Sequence, residues 1–201
     1  MKQRIVLCSD NSHKLEEFRK LFSELLPNTE LIPLRESGFS GEIVENGTTF
    51  EQNAFIKADT VRRQTGAFCI ADDSGLEVDA LGGAPGIYSA RYAGEHGNDG
   101  ANIEKLLCEL KDVPAEKRTA RFVCCICAVK PNGETLSVLQ TCEGFILNEM
   151  RGDGRFGYDP VFYYEPFGKT FAELDGKRKN EVSHRGKAMK VLAENRDFFL
   201  K

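Results

Sequence analysis

The order of hydrophobic and polar positions divides the first half of the chain into short strands and amphipathic helices. Three short apolar runs predict strands, over residues 4–8, 30–34 and 68–71. Three segments with apolar residues at every third or fourth position predict helices, over residues 14–26, 49–64 and 98–110. Pro27 and Gly66 follow the first two helices as stop signals. Alternation of strands and helices indicates an α/β protein.

The second half of the chain predicts antiparallel strands. Residues 119–130 and 135–147 are strand-like and are separated by Pro-Asn-Gly-Glu at 131–134. Asn-Gly favours the turn whose twist matches that of two paired strands, so this is the clearest hairpin in the chain. Because a purely doubly wound fold has no such hairpin, the fold class we predict is α/β with a mixed sheet. A last helix is predicted from Val182 to Glu194.

Composition excludes several classes of protein. The 201 residues, 41% hydrophobic and 29% charged, suffice for one well-buried core or two small lobes. The net charge of -4 argues against a general binder of nucleic acid or of membrane surfaces. No apolar run approaches the ~18 residues of a membrane span, and the first residues lead directly into a strand, so we expect a cytoplasmic protein.

The cysteines fit the same compartment. Seven of them, an odd number, lie in apolar segments, which favours buried thiols over a disulfide framework. Cys124 and Cys127 form a C-x-x-C match. On a strand these two side chains point to opposite faces, so we expect no zinc site there.

Two adjacent carboxylates are the first candidate for chemistry. Asp72 and Asp73 follow the apolar run at 68–71 and precede Ser74. This order predicts a buried strand that ends in two acids at a sheet edge. Neighbouring carboxylates repel each other, and a divalent cation or water relieves that repulsion. The alternative is a surface turn with solvated acids, because Asp, Ser and Gly are common turn residues.

A polar loop between the first strand and the first helix is the second candidate. Its sequence is SDNSHK, formed by Ser9, Asp10, Asn11, Ser12, His13 and Lys14. Free backbone N–H groups at a helix start can bind an anion, and a lysine there is unfavourable without one. The alternative is an ordinary helix capped by Ser9, Asp10 or Ser12. On the next helix, Lys57 lies one turn from Asn53, and both could reach one ligand.

Two later segments are further candidates for contact with a ligand. In RGDGRFGYDPVF, at 151–162, Phe156 on flanking glycines could lie flat against a purine, and Asp159 could accept its N–H groups. The alternative is a loop anchored by aromatics. Farther along, basic residues are dense for an acidic protein, which indicates an anion pocket: Lys177, Arg178, Lys179, Arg185 and Lys187.

Five motifs in the same order make the chain resemble the inosine triphosphate pyrophosphatase family, also called the dITP/XTP pyrophosphatases. The motifs are SDNSHK, ENGTTFEQNAFIKA, ADDSGLEVDALGGAPGIYSARYAG, GRFGYDPVF and VSHRGKA. The resemblance implies one domain over residues 1–201, an elongated fold of two lobes around a central cleft. It also implies a homodimer that uses Mg²⁺, and the net charge already predicts no nucleic acid and no membrane as partners. The implied reaction is hydrolysis of ITP, dITP and XTP to the monophosphate and pyrophosphate, which cleanses the nucleotide pool.

The resemblance also implies a role for each matching residue. Asp73 is the implied proton acceptor that activates water. The implied metal ligands are Glu45 and Asp73, with Asp72 as a supporting carboxylate. The implied phosphate and sugar contacts are Ser9, Asp10, Asn11, Ser12, His13, Lys14, Lys57 and Ser74. The implied base contacts are Phe156, Gly157, Tyr158, Asp159, Lys179, His184 and Arg185.

Selectivity and two alternatives stay open at this point. We expect Arg185, Lys179 or backbone N–H groups to donate hydrogen bonds to the 6-oxo group of the base, where adenine carries a donor instead. One alternative is a pyrophosphatase for methylated or pyrimidine triphosphates. The other is a nucleotide sensor that binds without turnover, although a phosphate binder gains nothing from adjacent acids unless a cation bridges them.

Overall fold

The structure is a computed structural model that describes residues 2–153 and 156–199. In this described part the strands are β1 Gln3–Leu7, β2 Thr29–Pro33, β3 Cys69–Val78, β4 Thr119–Val129, β5 Thr135–Ile146, β6 Phe162–Tyr164 and β7 Lys169–Thr170. The α-helices are α1 Ser12–Leu25, α2 Phe50–Thr65, α3 Asp99–Glu109, α4 Gly176–Val182 and α5 His184–Glu194. None of the helices among these residues is long and apolar enough to cross a membrane.

The strands form one mixed sheet in the order β2-β1-β3-β4-β5-β6-β7. β1 is parallel to β2, with Ile5 opposite Leu31, and parallel to β3, with Leu7 opposite Ile70. β6 is antiparallel to both β5 and β7. A tight turn joins β4 to β5, and Gly133 in that turn has a positive φ of 90°. The predicted mixed α/β class and the hairpin are therefore confirmed.

The chain forms two compact units. The first contains Met1–Asp73, Cys124–Gln140 and Arg185–Lys201. Its core packs apolar side chains of β1, β3 and β4 against α1 and α5, with Ile5, Phe18 and Met189 fully buried. At about 1.5–3 kcal/mol for each large buried side chain, this apolar contact is the main force that holds the two helices on the sheet.

The second unit contains Ser74–Val123 and Thr141–His184. Its core includes the inward face of α3 and a group of rings centred on Phe122. The Phe122 ring lies 4.5 Å from that of Phe162 and 5.7 Å from that of Phe171, measured between centroids. Offset and tilted rings at such distances add to the stability that burial alone provides.

Helix caps explain the ends of the first two helices. The side chain of Asn11 accepts a hydrogen bond from the backbone N–H of Lys14 at 3.0 Å, so α1 begins at Ser12, two residues before the predicted start. The cap is thus Asn11, and the three cap candidates from the sequence were wrong. Thr49 caps α2 through the N–H of Gln52, and Gly66 ends it in the left-handed conformation.

Two predicted boundaries were wrong. β3 continues through the two aspartates to Val78, because Leu76 and Val78 resume the buried alternation. The predicted last helix begins at His184 and not at Val182, since Ser183 is extended, with φ -66° and ψ 156°, and Val182 ends the unpredicted helix α4. Asp175, which accepts from the N–H of Arg178 at 2.9 Å, is the unrecognised cap that begins α4.

The cysteine prediction holds. None of the seven cysteines forms a disulfide, and each except Cys108 is buried.

Candidate active site

The two aspartates lie in the middle of β3, and both are buried, at 2% exposure for Asp72 and 8% for Asp73. β1 ends at Leu7, opposite Ile70, so its register with β3 stops before the acids. Successive side chains of a strand point to opposite faces. The two carboxylates therefore have different partners, although they are adjacent in sequence.

Asp73 shares a cation with Glu45. The ammonium Nζ of Lys57, on α2, lies 2.7 Å from Asp73 Oδ1 and 2.9 Å from Glu45 Oε2. The other carboxylate oxygen, Asp73 Oδ2, is buried and has no hydrogen-bond partner among the described residues. Burial raises the pKa of Asp73, and the Lys57 charge only partly opposes this effect. Asp73 thus combines a raised proton affinity with one oxygen that makes no described hydrogen bond.

Lys57 itself is 8% exposed. Burial of an ammonium favours its neutral form, but the pKa of Lys57 is raised because nearby carboxylates, led by that of Asp73, outweigh burial. Lys57 is therefore charged at neutral pH. The cluster of Lys57, Glu45 and Asp73 is named the acid-lysine bridge below.

Asp72 has two cationic partners. Its Oδ2 lies 3.0 Å from Nζ of Lys14, on α1, and 3.3 Å from Nη2 of Arg185, at the start of α5. Arg185 also donates through Nη1 to Glu17 of α1. Burial opposes ionisation of Asp72, yet the Lys14 and Arg185 charges hold its pKa well below the usual range. Burial likewise opposes the charge of Arg185, but Glu17 and Asp72 raise its pKa.

The polar segment that leads into α1 and forms its first residues is open to solvent. Ser9 is half-buried, whereas Asp10, Asn11, Ser12 and His13 are exposed. The N–H of Asn11 donates to Ser9 Oγ at 3.3 Å, which folds the loop back on itself. Lys14 then points from the first turn of α1 to Asp72. A lysine is unfavourable at a helix N-terminus unless a negative charge lies beside it, and the carboxylate of Asp72 supplies such a charge without a bound anion.

The residues predicted to contact the base lie in the second unit, apart from Arg185. Gly157, with a positive φ of 54°, donates its N–H to Asp99 Oδ2 at 2.7 Å. Tyr158 is buried and donates its hydroxyl to the carbonyl of Ser89 at 2.8 Å. Tyr158 thus anchors this turn. This agrees with the alternative given for residues 151–162, a loop anchored by aromatic side chains. The first two residues of the GRFGYDPVF motif, 154 and 155, lie outside the described residues.

The second unit also contains a partly buried group of one aromatic and two charged side chains, those of Phe156, Asp159 and Lys179. Lys179 Nζ lies 2.5 Å from Asp159 Oδ2 and 5.3 Å from the centroid of the half-buried Phe156 ring. An ammonium beside a ring face and a carboxylate supplies both a donor and an apolar surface. A flat heterocycle with exocyclic oxygens has the matching chemistry.

His184 and Ser74 are the remaining predicted contacts. His184 is buried, with its ring stacked on Phe122 at 4.8 Å between centroids and 15° between planes. This position makes it a packing residue of the second core. Ser74 is half-buried and directly follows Asp73 on β3.

The sequence profile of the Ham1 family matches residues 5–195. This chain belongs to the Ham1 family. A Bacillus cereus protein named dITP/XTP pyrophosphatase is 48% identical over 196 residues, which is 96% of this chain and 94% of that protein. The predicted family is therefore confirmed.

Solved Ham1 structures confirm the fold. The Staphylococcus aureus Ham1 protein matches with a TM-score of 0.86 at 41% identity, over 96% of this chain and 97% of that one. A HAM1 protein from Coxiella burnetii matches with a TM-score of 0.87 at 42% identity, over 96% and 98% of the two chains.

Glu17, which accepts a hydrogen bond from Arg185, was not predicted as a site residue from the sequence. It lies three residues after Lys14 on α1, so the two side chains share a helix face. That spacing was a usable signal. Its partner Arg185 is 168 residues away, and no local pattern links the two.

The acid-lysine bridge fits a hard divalent cation. Two carboxylate oxygens already converge on one positive charge, and buried Asp73 Oδ2 adds a donor atom. Asp72 differs, since its Oδ2 lies between Lys14 and Arg185. No group of three or more His, Cys, Asp or Glu side chains among residues 2–153 and 156–199 is already arranged as a metal cage.

Proposed function

We propose that this Ham1-family chain hydrolyses dITP, ITP and XTP to the nucleoside monophosphate and pyrophosphate. The near full-length relationship to a protein named dITP/XTP pyrophosphatase supports the substrate class. The observation that carries the proposal is the opposite character of the two aspartates. Asp73 has raised proton affinity, and its buried Oδ2 has no hydrogen-bond partner among the described residues, whereas Asp72 is held as the charged partner of two cations.

Asp73 is the proposed general base. A base needs a lone pair that is not already engaged, and the buried Asp73 Oδ2 has no hydrogen-bond partner among the described residues. Burial raises the pKa of Asp73, and a higher pKa makes its carboxylate a stronger proton acceptor. Positioned proton transfer contributes about 10²- to 10⁴-fold to rate. Asp72 does not suit this role, because its depressed pKa makes it a poor proton acceptor.

Lys14 and Lys57 are the proposed phosphate ligands. A triphosphate has about four negative charges near neutral pH, and attack at its α-phosphorus requires those charges to be neutralised. Both ammonium groups are held against buried carboxylates, at 3.0 Å and 2.7 Å. Held in this way, they are ordered before the substrate arrives. The loop residues Ser9 to His13, with Ser74, are proposed to add hydroxyl and N–H contacts.

The proposed cofactor is Mg²⁺. Glu45 and Asp73 would hold it, and Asp72 would support the site through its charge. When bound, the ion screens the triphosphate and polarises its phosphoryl oxygens. The chain is further proposed to act as a cytoplasmic homodimer.

Base recognition is proposed to rest on the group of Phe156, Asp159 and Lys179, with the N–H of Gly157. Lys179 is a donor that suits the 6-oxo group of hypoxanthine and xanthine, whereas adenine would leave that donor unpaired. Arg185 already donates to Glu17 and Asp72. A guanidinium has five N–H donors, and the buried Nε of Arg185 has no hydrogen-bond partner among the described residues, so its predicted base contact does not require it to give up either carboxylate.

A substrate panel tests the proposal. Purified protein is incubated with ITP, XTP, dITP, ATP, GTP, dUTP and methylated triphosphates, with and without Mg²⁺, and pyrophosphate is measured. We expect release from the first three, dependent on Mg²⁺. Activity confined to pyrimidine or methylated nucleotides would support the alternative enzyme, and binding without turnover would support the sensor.

A further inference from the structure

The acid-lysine bridge holds a protein cation between the two residues proposed to bind Mg²⁺. Lys57 Nζ donates to Asp73 Oδ1 at 2.7 Å and to Glu45 Oε2 at 2.9 Å. The side chains of Lys57 and Asp73 are about 10% exposed, at 10% and 11%, so water screens their contact weakly.

A metal ion and this ammonium compete for the same oxygens. Mg²⁺ binds carboxylate oxygens at about 2.0–2.1 Å, closer than the lysine hydrogen bonds. An ion held by these two oxygens would therefore come next to Nζ, in a site with little water to screen the two positive charges. Lys57 has to leave at least one carboxylate before the ion can take both.

We propose that Lys57 is an internal competitor for the divalent cation, and that it closes the Glu45 and Asp73 pair until nucleotide phosphate draws its ammonium away. This inference rests on the proposed function, since it takes the metal site and the phosphate contact from it. Its consequence is that metal alone binds weakly and metal with nucleotide binds well. By linkage, the metal favours nucleotide binding to the same extent.

The geometry allows Lys57 to serve both partners. It lies on α2, whose N-terminus is fixed by the Thr49 cap, and its four-carbon side chain can turn without movement of the helix. Glu45, at 32% side-chain exposure, is the more accessible of its two partners. We expect the contact to Glu45 to break first.

The test measures Mn²⁺ binding to nucleotide-free protein by electron paramagnetic resonance of the free ion. Lys57→Met removes the ammonium and keeps the side-chain length. The matched control is Lys130→Met, because Lys130 is 7% exposed and pairs with one carboxylate, Glu134, at 2.9 Å. Both changes alter net charge equally. Circular dichroism verifies that each variant is folded.

We expect Lys57→Met to bind Mn²⁺ at least about tenfold more tightly than the wild type, and Lys130→Met to stay within about twofold. Adding Glu45→Gln to Lys57→Met should remove the gain, which would locate the ion at this pair. Unchanged or weaker Mn²⁺ binding by folded Lys57→Met would overturn the proposal. So would an equal gain in Lys130→Met, because that would be a net-charge effect.

A measurement on the wild type covers the case in which Lys57→Met does not fold. Nitrogen-15 NMR of lysine ammonium groups follows Lys57 and Lys130 while Mg²⁺ is added. We expect the Lys57 signal to shift or broaden and that of Lys130 to stay. Metal binding, detected as shifts of the Asp73 amide, with an unchanged Lys57 signal would refute competition. Neither readout uses hydrolysis, so loss of the proposed activity in the substrate panel remains a separate outcome.

Discussion

The neighbouring aspartates should respond in opposite ways to the same substitution. Asp72→Asn removes the charge that lies 3.0 Å from Lys14 and 3.3 Å from Arg185. Arg185 keeps Glu17, but no other carboxylate contact of Lys14 is described. Removing one partner of a buried ion pair costs about 3–5 kcal/mol, since an uncompensated charge is left behind. For a chain of this size that corresponds to a fall in Tm of roughly 10 °C.

Asp73→Asn should leave stability nearly unchanged and remove activity. Lys57 keeps Glu45 at 2.9 Å, and the amide oxygen can still accept its hydrogen bond. The raised pKa of Asp73 means that its negative charge opposes folding, so neutralising it offsets the weakened contact with Lys57 and leaves a net cost of about 1 kcal/mol or less. Turnover should fall about 10²- to 10⁴-fold with the proton acceptor gone.

The assay pairs thermal unfolding by circular dichroism with pyrophosphate release from ITP for both variants. The reasoning is refuted if Asp73→Asn is the less stable of the two. It is equally refuted if folded Asp73→Asn keeps wild-type turnover, because the base would then be elsewhere.

Three further predictions concern pH, base recognition and the helix cap. The kcat/KM for ITP should fall as pH drops through the raised pKa of Asp73. The stability that Asp72 contributes is complete above about pH 4 and is lost only as pH falls through its depressed pKa. A pH-rate profile and an acid-unfolding curve check this order, and unfolding at a higher pH than the loss of activity would contradict it. Lys179→Met should raise the KM for ITP roughly tenfold with kcat little changed, and steady-state kinetics showing only a kcat defect would exclude a base contact. Asn11→Ala should destabilise the protein by about 1 kcal/mol, because it removes the side chain that caps α1. Ser12→Ala is the milder control, and equal midpoints of urea unfolding for the two variants would contradict the cap.

Local signals in the sequence were enough to predict most elements. The Asn-Gly turn, the stop at Gly66 and the spacing of apolar residues in α1 depend on nearby residues only, so they could be predicted from the chain itself. The end of β3 was predicted wrongly because two patterns in the sequence indicate different ends for this strand. Polar residues at 72–74 indicated the end of a strand, but the apolar positions beyond them carry β3 onward to Val78.

The partners of the candidate site residues could not be predicted in the same way. Asp72 and Asp73 were identified as a pair, and their separation into two clusters follows from strand alternation once β3 is known to continue. Arg185 and Glu17 meet only through the tertiary packing of α5 near α1. Predicted roles that depend on bound nucleotide or metal, including those of Ser74 and His13, stay predictions.

Product analysis from ITP in magnesium buffer tests the central claim most directly. If Asp73 and the lysines direct water to the α-phosphorus, inosine monophosphate and pyrophosphate should appear in equal amounts, with no diphosphate intermediate. Release of orthophosphate with inosine diphosphate, or no product at all, would contradict the account.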